Sequence, residues 1–300
     1  MVTDVARLRS FHRAVTERVG ALETHYLGRG RPLGESRLLW EIEPEGSELR
    51  ELRRRLGLDS GYVSRLLRSL EAQGLAVVER SGADGRVRVA RLTGRGRRER
   101  AELDRLSDDL VSSILEPLDE GQRAALTDAA ATVERLLRAS LVTIAPESPR
   151  AADARWCIGR YFADLGERFE TGFDPARTLP LDEDELAPPR GLLLVARLRE
   201  QPVGCGALVH RQGAPTEVKR MWVDPQARGL GLGRRLLREL EAHAAAAGVS
   251  TLRLETNRAL VEAIALYRSS GYREIPAFND EPYAHHWFEK RIGGDAEPAA

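Results

Sequence analysis

Apolar residues recur every third or fourth position over the first 140 residues of this chain, and in short runs or alternation over the rest. The first pattern predicts helices and the second strands. Over 3–24, Val5, Leu8, Phe11, Val15, Val19 and Leu22 share one helical face. A Gly/Arg/Pro turn at 28–32 precedes short helices near 34–43, 47–56 and 60–73, a hairpin within 75–92, and longer helices over 94–115 and 119–139. Past the change of pattern, 141–144 reads as a strand and 151–170 as a helix. Strands over 191–198, 202–210, 215–223, 250–256, 271–275 and 284–290 then follow, with helices at 231–247 and 260–269 among them. The acidic, proline-containing stretch 179–190 reads as a loop. The shift near residue 140 marks a domain boundary; 145–149 has a linker's composition, while 141–144 already fits a first strand of the second domain.

Composition narrows the function classes. Three hundred residues suit about two domains. An apolar share of 42% with 31% charged residues fits a globular protein. The net charge of +0 gives no global attraction to nucleic acid or membrane, so any such argument must be local. Lys219 and Lys290 are the only lysines among many arginines, a bias we assign to genome composition. Cys157 and Cys205 make neither a disulfide framework nor a metal site. The first residues lack a signal peptide's apolar core, and the aliphatic run 192–196 is too short to span a bilayer. The expected location is cytoplasmic, with no membrane partner.

One local charge argument does arise. Residues 47–100 hold roughly 14 arginines against about 7 acids, between acidic flanking helices, as a DNA-facing surface requires; a solvated Arg-rich face is the alternative. Within that island, Leu49, Leu52, Leu56 and Leu58 form an apolar face, 57–60 a turn ending in capping residues, and Val63, Leu66, Leu67 and Leu70 the buried side of a second helix. Ser60, Tyr62, Ser64, Arg65 and Arg68 are left outward, able to meet phosphates and base edges in a major groove. Two alternating strands around an Asp/Gly/Arg tip then predict a hairpin wing. Asp84-x-Arg86, followed by Leu92-Thr93-x-x-Gly96, resembles the wing signature of the MarR-type regulators, over about residues 1–140. The resemblance implies a homodimer, joined through the first and last helices of this half, on a nearly palindromic double-stranded operator. It places Arg86 in a minor groove and gives Asp84 the task of orienting the wing, unless Asp84 only holds a turn.

The second half carries an apolar strand, Pro225, an Arg-Gly-x-Gly-x-Gly turn and an amphipathic helix, in that order. Such a turn presents backbone amides at a helix N-terminus, where anions are favoured. Arg228, Gly231 and Gly233 resemble the cofactor motif of the GNAT (Gcn5-related) N-acetyltransferases, and 263–272 resembles that family's A-x-x-x-Y-x-x-x-G-F/Y block. The resemblance covers about 141–291 and implies acetyl-CoA as co-substrate. The amides from Gly229 to Arg234 would hold its pyrophosphate, and Asn257 would meet the cofactor arm. Backbone groups of Met221 and Val223 would pair with the pantetheine and polarise the thioester. Tyr267 would protonate the leaving thiolate; otherwise it is a half-buried packing tyrosine. Glu217 is the candidate base, since even spacing along the strand puts it on one face with Lys219, Met221 and Val223. An edge salt bridge with Lys219 or Arg220 is the equal alternative. Vicinal His285 and His286 lack further ligands at metal spacing, so no metal is expected.

The fold class that follows is α+β in two domains. A MarR-like winged helix-turn-helix, mostly α with a β wing, covers 1–140. A GNAT α/β fold with a mixed central sheet covers 141–293, and 294–300 is a disordered tail. The leading function is a bifunctional transcription regulator and N-acetyltransferase acting on a small-molecule primary amine. The alternatives are a regulator that senses acyl-CoA without turnover, and an acetyltransferase of protein lysines.

Overall fold

The computed structural model describes residues 2–81 and 85–292. The chain divides into two compact units, Met1–Ala129 and Ala130–Ala300. The expected tail 294–300 and the wing residue Asp84 lie outside the described residues. Among the described residues no helix is long and apolar enough to cross a membrane.

The first unit begins with α1 (Val2–Arg18), which stops short of the predicted end at residue 24 because Gly20 takes φ 63° and turns the chain. Helix α2 (Leu33–Glu41) follows, then β1 (Ser47–Glu48) and α3 (Leu49–Leu56). The two residues of β1, expected to be helical, instead pair with Ala90 and Val89. Gly57 closes α3 at φ 64°, returning its amide to Arg53 and Arg54. Asp59 then caps α4 (Ser60–Ala72), accepting from the Tyr62 amide at 2.9 Å. The hairpin of β2 (Ala76–Arg80) and β3 (Arg88–Leu92) completes a three-stranded sheet in the order β1-β3-β2. Leu38, Leu39, Leu52, Val63, Leu67 and Leu70 share a core with Ala76, Ala90 and Leu103.

The Thr93-x-x-Gly96 part of the wing signature has a structural explanation. Thr93 caps α5 (Gly94–Leu115) by accepting from the Gly96 amide at 3.0 Å, while its hydroxyl donates to the Gly74 carbonyl at 2.7 Å. A side chain at Gly96 would run into the Leu75 carbonyl. Further along α5, Glu99 accepts from Arg29 at 2.7 Å and from Arg31 at 2.6 Å. Chiefly through the Arg29 hydrogen bond, this pairing holds the Glu99 carboxyl down at about 2, against a burial that works the other way. Helix α6 (Glu120–Ser140) begins in the first unit and ends in the second.

The second unit is built on a seven-stranded sheet in the order β4-β5-β6-β7-β8-β10-β9. Strand β4 (Val142–Pro146) extends through part of the stretch with a linker's composition. Next come α7 (Ala152–Arg168), β5 (Gly191–Leu198), β6 (Gln201–Val209), β7 (Thr216–Val223) and α8 (Leu232–Ala246). Strand β8 (Thr251–Thr256), α9 (Val261–Ser269), β9 (Arg273–Ile275) and β10 (His286–Arg291) finish the order. Every neighbouring pair is antiparallel except β7 and β8, so the mixed sheet is as expected. One face packs Leu194, Leu208, Val218, Leu252 and Phe288 with Leu236, Leu237 and Leu240 of α8. The other packs Leu193, Val195, Cys205, Ala207 and Trp222 with Ala154 and Cys157 of α7.

Two departures from regular pairing make room for a site. The parallel ladder between β7 and β8 registers only Thr216 with Leu252 and Glu217 with Arg253, after which the strands part. Strand β7 also carries an extra residue against β6, between the pairs Cys205–Trp222 and Ala207–Lys219, and Arg220 there adopts φ 56°. An insertion of one residue reverses the alternation of side chains beyond it.

Candidate active site and nucleic-acid interface

In the first unit α4 presents the expected outward set with one exception. Ser60, Ser64, Arg65 and Arg68 are exposed, while Val63, Leu66, Leu67 and Leu70 are buried. The Ser64 hydroxyl returns to the Ser60 carbonyl at 2.7 Å and Arg68 to the Ser64 carbonyl at 3.3 Å, so both hold the helix surface in order. Tyr62 is the exception. It is half-buried against the core, and its hydroxyl stands where a side chain at Gly34 of α2 would go. Its ring faces Arg65, with the guanidinium 5.5 Å from the ring centre. Tyr62 therefore braces the helix and steadies Arg65. Arg86 is exposed at the base of the hairpin tip. Across the basic island the arginines sit on both α4 and the wing, as a groove-and-backbone reader needs.

In the second unit the Gly-rich turn forms the cradle. Gly229 and Gly231 take φ 81° and 70°, and nothing lies within 4 Å of where a side chain on either would start. Gly231 opens α8 with no side-chain cap, and the first amide to return to the turn is that of Arg235, on the Gly231 carbonyl at 3.1 Å. The amides of Leu232, Gly233 and Arg234 thus precede the first intrahelical bond and carry the positive end of the helix dipole. A side chain starting at Gly233 would stand 3.3 Å from a Leu266 methyl, so glycine there lets α8 approach α9 closely. A groove of about 770 Å³ runs from this turn past Met221 and Val223 to Tyr267. Its apolar walls and amide-lined end fit the pantetheine and pyrophosphate of an acyl-CoA.

The other cofactor candidates are less free than the motif implies. Arg228 is held by Asp164 of α7 at 3.0 Å, and Arg234 by the Ser269 hydroxyl at 2.8 Å. Asn257 does not line the groove. Its amide donates to the Tyr283 carbonyl at 2.7 Å and its oxygen accepts from Ala259 at 2.9 Å, so it anchors the chain after β8. The Val223 and Met221 backbone is better placed. The Asp224 amide bonds Val203 on β6 at 2.9 Å, and alternation along an antiparallel ladder then turns Val223, and Met221 two residues earlier, toward the gap beside β8.

A second chamber, of about 380 Å³, adjoins the groove and shares Tyr161, Leu165, Met221, Leu260, Ala263 and Tyr267 with it. It also holds Glu217, Lys219, Arg220 and Glu255, under a roof of Phe169, Phe173 and Tyr283. The even-spacing expectation fails here. Glu217 and Lys219 pair across with Val209 and Ala207, on the α7 face, whereas Met221 and Val223 pack toward α8. The extra residue at Arg220 is the cause. Glu217 is tied to Lys219 at 3.0 Å, one of the salt bridges given as the alternative, and also to Arg211 at 3.6 Å. Lys219 also pairs with Glu255, whose other oxygen is buried with no hydrogen-bond partner.

Tyr267 stands where the two spaces meet. It is only 5% exposed, between Tyr272 and Phe288, and burial pushes its pKa well above the usual tyrosine value. It therefore keeps its proton at every physiological pH, as a proton donor must. Tyr161, opposite on α7, is pushed up to about 12 by burial. Tyr161 and Asp164 lie outside every motif, since α7 is far from the Gly-rich turn in sequence. Alternation along β8 was the one available signal for Glu255, which follows buried Leu252 and Leu254 on the opposite face.

Comparison with known proteins agrees with both halves. A model of the GNAT acetyltransferase domain matches residues 189–274, and a model of the MarR family matches residues 29–87. The IAA acetyltransferase of Azospirillum brasilense is 42% identical over 144 residues, which is 47% of this chain and 90% of that protein. N-alpha-acetyltransferase RimI of Mycobacterium tuberculosis is 35% identical over 127 residues, 41% of this chain and 75% of that one. The Streptococcus pneumoniae FabT structure, solved in complex with DNA, aligns at 20% identity and a TM-score of 0.40, covering 44% of this chain and 96% of its own. The GNAT domain implies an acyl-CoA co-substrate, and the MarR module implies binding to DNA. The chain belongs to the GNAT acetyltransferases through its second half, which is joined on one polypeptide to a winged helix-turn-helix of the MarR family.

Proposed function

We propose that the protein is a DNA-binding transcription regulator that also transfers the acetyl group of acetyl-CoA to a small primary amine. The observation that carries the enzymatic reading is the junction of two chambers at Tyr267, one ending in free helix amides and the other in paired carboxylates. Bound acetyl-CoA supplies an acetyl thioester as electrophile. The amides of Leu232 to Arg234 hold its diphosphate, with Gly229 and Gly231 leaving room for close approach. The backbone of Met221 and Val223 orients the pantetheine arm at the gap between β7 and β8. The carboxylate pair of Glu217 and Glu255, linked by Lys219, receives the proton that an ammonium must lose before its nitrogen attacks. The Tyr267 hydroxyl holds the proton that the departing sulfur takes. Water is kept out by the roof of Phe169, Phe173 and Tyr283, whose size supports a compact acceptor.

Calorimetry with acetyl-CoA and release of free thiol in the presence of amines test this reading together. Saturable heat with amine-dependent thiol release is expected. Saturable heat without thiol release from any amine leaves an acyl-CoA sensor instead, and no heat at all ends the cofactor assignment.

For the first unit, Arg65 and Arg68 on α4 and Arg86 on the wing are the proposed groove and phosphate contacts, with Ser60 and Ser64 beside them. Helix α1 leaves Val5, Leu8, Phe11 and Val15 at least 40% exposed, an apolar stripe that a second copy of the chain would cover. Binding to double-stranded fragments is expected to weaken by about a hundredfold or more between 50 and 200 mM salt if several arginines displace counterions. A flat salt response in a fluorescence-anisotropy titration counts against DNA binding.

A further inference from the structure

The chamber beside Tyr267 holds a guanidinium that meets no carboxylate among the described residues and a carboxylate oxygen that meets no hydrogen-bond donor. Its other cations are satisfied: Lys219 bridges Glu217 and Glu255, and Arg211 pairs with Glu185 at 2.5 Å. Glu281 accepts backbone amides from Leu179 at 3.0 Å and Tyr283 at 3.3 Å. Arg220, by contrast, meets no carboxylate among the described residues. Its guanidinium lies 4.7 Å from the Phe162 ring centre and 5.9 Å from that of Tyr161. It is held there by a backbone at φ 56°, a conformation that a β-strand arginine rarely adopts. The second group is Glu255, one oxygen of which pairs with Lys219 while the other is buried with no hydrogen-bond partner. Both charges act on Tyr161, Arg220 pulling its pKa down and Glu255 pushing it up.

A guanidinium without a carboxylate and a buried oxygen without a donor each cost free energy, and a ligand that supplies both partners is favoured over one that supplies a single one. We propose that the acceptor is an amino acid with an apolar or aromatic side chain. The Glu255 carboxylate takes its ammonium, the Arg220 guanidinium takes its carboxylate, and Phe169, Phe173 and Tyr283 take its side chain. Three cations, Arg211, Lys219 and Arg220, line the chamber against three carboxylates, Glu217, Glu255 and Glu281, so a zwitterion preserves its neutrality and a simple amine does not. A planar guanidinium is also the side chain best matched to a carboxylate, through two parallel hydrogen bonds. This inference rests on the acetyltransferase reading of the second half and goes beyond it by fixing the acceptor class.

The test uses the intact chain saturated with CoA, titrated by calorimetry with phenylalanine and with phenethylamine, which differ only by the carboxylate; tyrosine with tyramine and tryptophan with tryptamine extend the series. At least one amino acid is expected to bind about 10-fold or more tighter than its amine, and the same preference is expected in kcat/KM for thiol release from acetyl-CoA. Arg220→Gln is expected to remove most of that preference by weakening the amino acid while changing the amine less than about 3-fold, and Arg220→Lys to restore part of it. The comparison of amino acid with amine on the unaltered protein stands even where an Arg220 variant fails to fold. Equal or tighter binding of every amine, no binding by any amino acid in the series, or an Arg220→Gln loss shared equally by both ligands overturns the proposal. Turnover of the amines without preference for amino acids overturns it while sparing the acetyltransferase reading; failure to bind acetyl-CoA removes that reading itself.

Discussion

Tyr267→Phe is expected to lower kcat for acetyl transfer by about 100-fold, with the affinity for acetyl-CoA within about 2-fold of the original. Tyr267 lines both the 770 Å³ groove and the smaller chamber, and its ring is packed between Tyr272 and Phe288. Phenylalanine keeps that packing and deletes only the hydroxyl proposed as proton donor, so ground-state binding is spared. Because burial raises the Tyr267 pKa, the proton is bound at neutral pH and stays bound as the pH rises toward and past the ordinary tyrosine value. The rate in the original protein is therefore expected to rise with pH as the acceptor loses its own proton, with no fall from Tyr267 ionising near pH 10. Steady-state thiol release and acetyl-CoA calorimetry on both proteins check the separation. An unchanged kcat assigns Tyr267 to packing alone.

The largest stability effect is expected at Gly96. Replacing it with alanine puts a methyl group into the Leu75 carbonyl, and the obstacle is backbone, which no rotamer change can move. The Thr93 cap, bonded to both the Gly96 amide and the Gly74 carbonyl, pins α5 against this same turn between α4 and β2, so the helix cannot back away without breaking it. Overpacking of this kind destabilises by about 3 kcal/mol, against at most about 1 kcal/mol gained from alanine's helix propensity. Gly94→Ala is the matched control, since only the Arg97 and Arg98 guanidinium ends come within 4 Å of its Cβ position. Urea titration read by hydrogen exchange in the first unit is expected to show the loss for Gly96→Ala, and no loss for Gly94→Ala. Equal behaviour of the two would mean that the Leu75–Gly96 contact does not constrain the fold.

The glycine illustrates how far sequence reasoning reached. Thr93 and Gly96 stand out as part of a wing signature, but their physical task is to cap α5 and let it pass the Leu75 carbonyl, which only the packing reveals. Tyr62 likewise belongs to the outward positions of α4 by periodicity, yet its length carries the hydroxyl back to α2. In the second unit the strand-turn-helix order located the cradle because glycine spacing and helix start are local properties. Asn257 was legible as a residue at the end of β8, but the partner it chose, the Tyr283 carbonyl, comes from a loop far along the chain.

The chain's own pattern therefore indicates most of the helices and strands, where the fold class changes, and where a glycine turn leaves amides free at a helix N-terminus, since each depends on residues a few positions apart. The tertiary structure alone decides the chemistry facing the acceptor. One extra residue in β7 reverses the side-chain alternation that spacing implies, sends Glu217 and Lys219 to the α7 face, and leaves Arg220 over Phe162 without a carboxylate. A bulge is fixed by how a strand meets its neighbour, and α7 reaches the site only through the closing of the sheet; neither is encoded in any local stretch of residues.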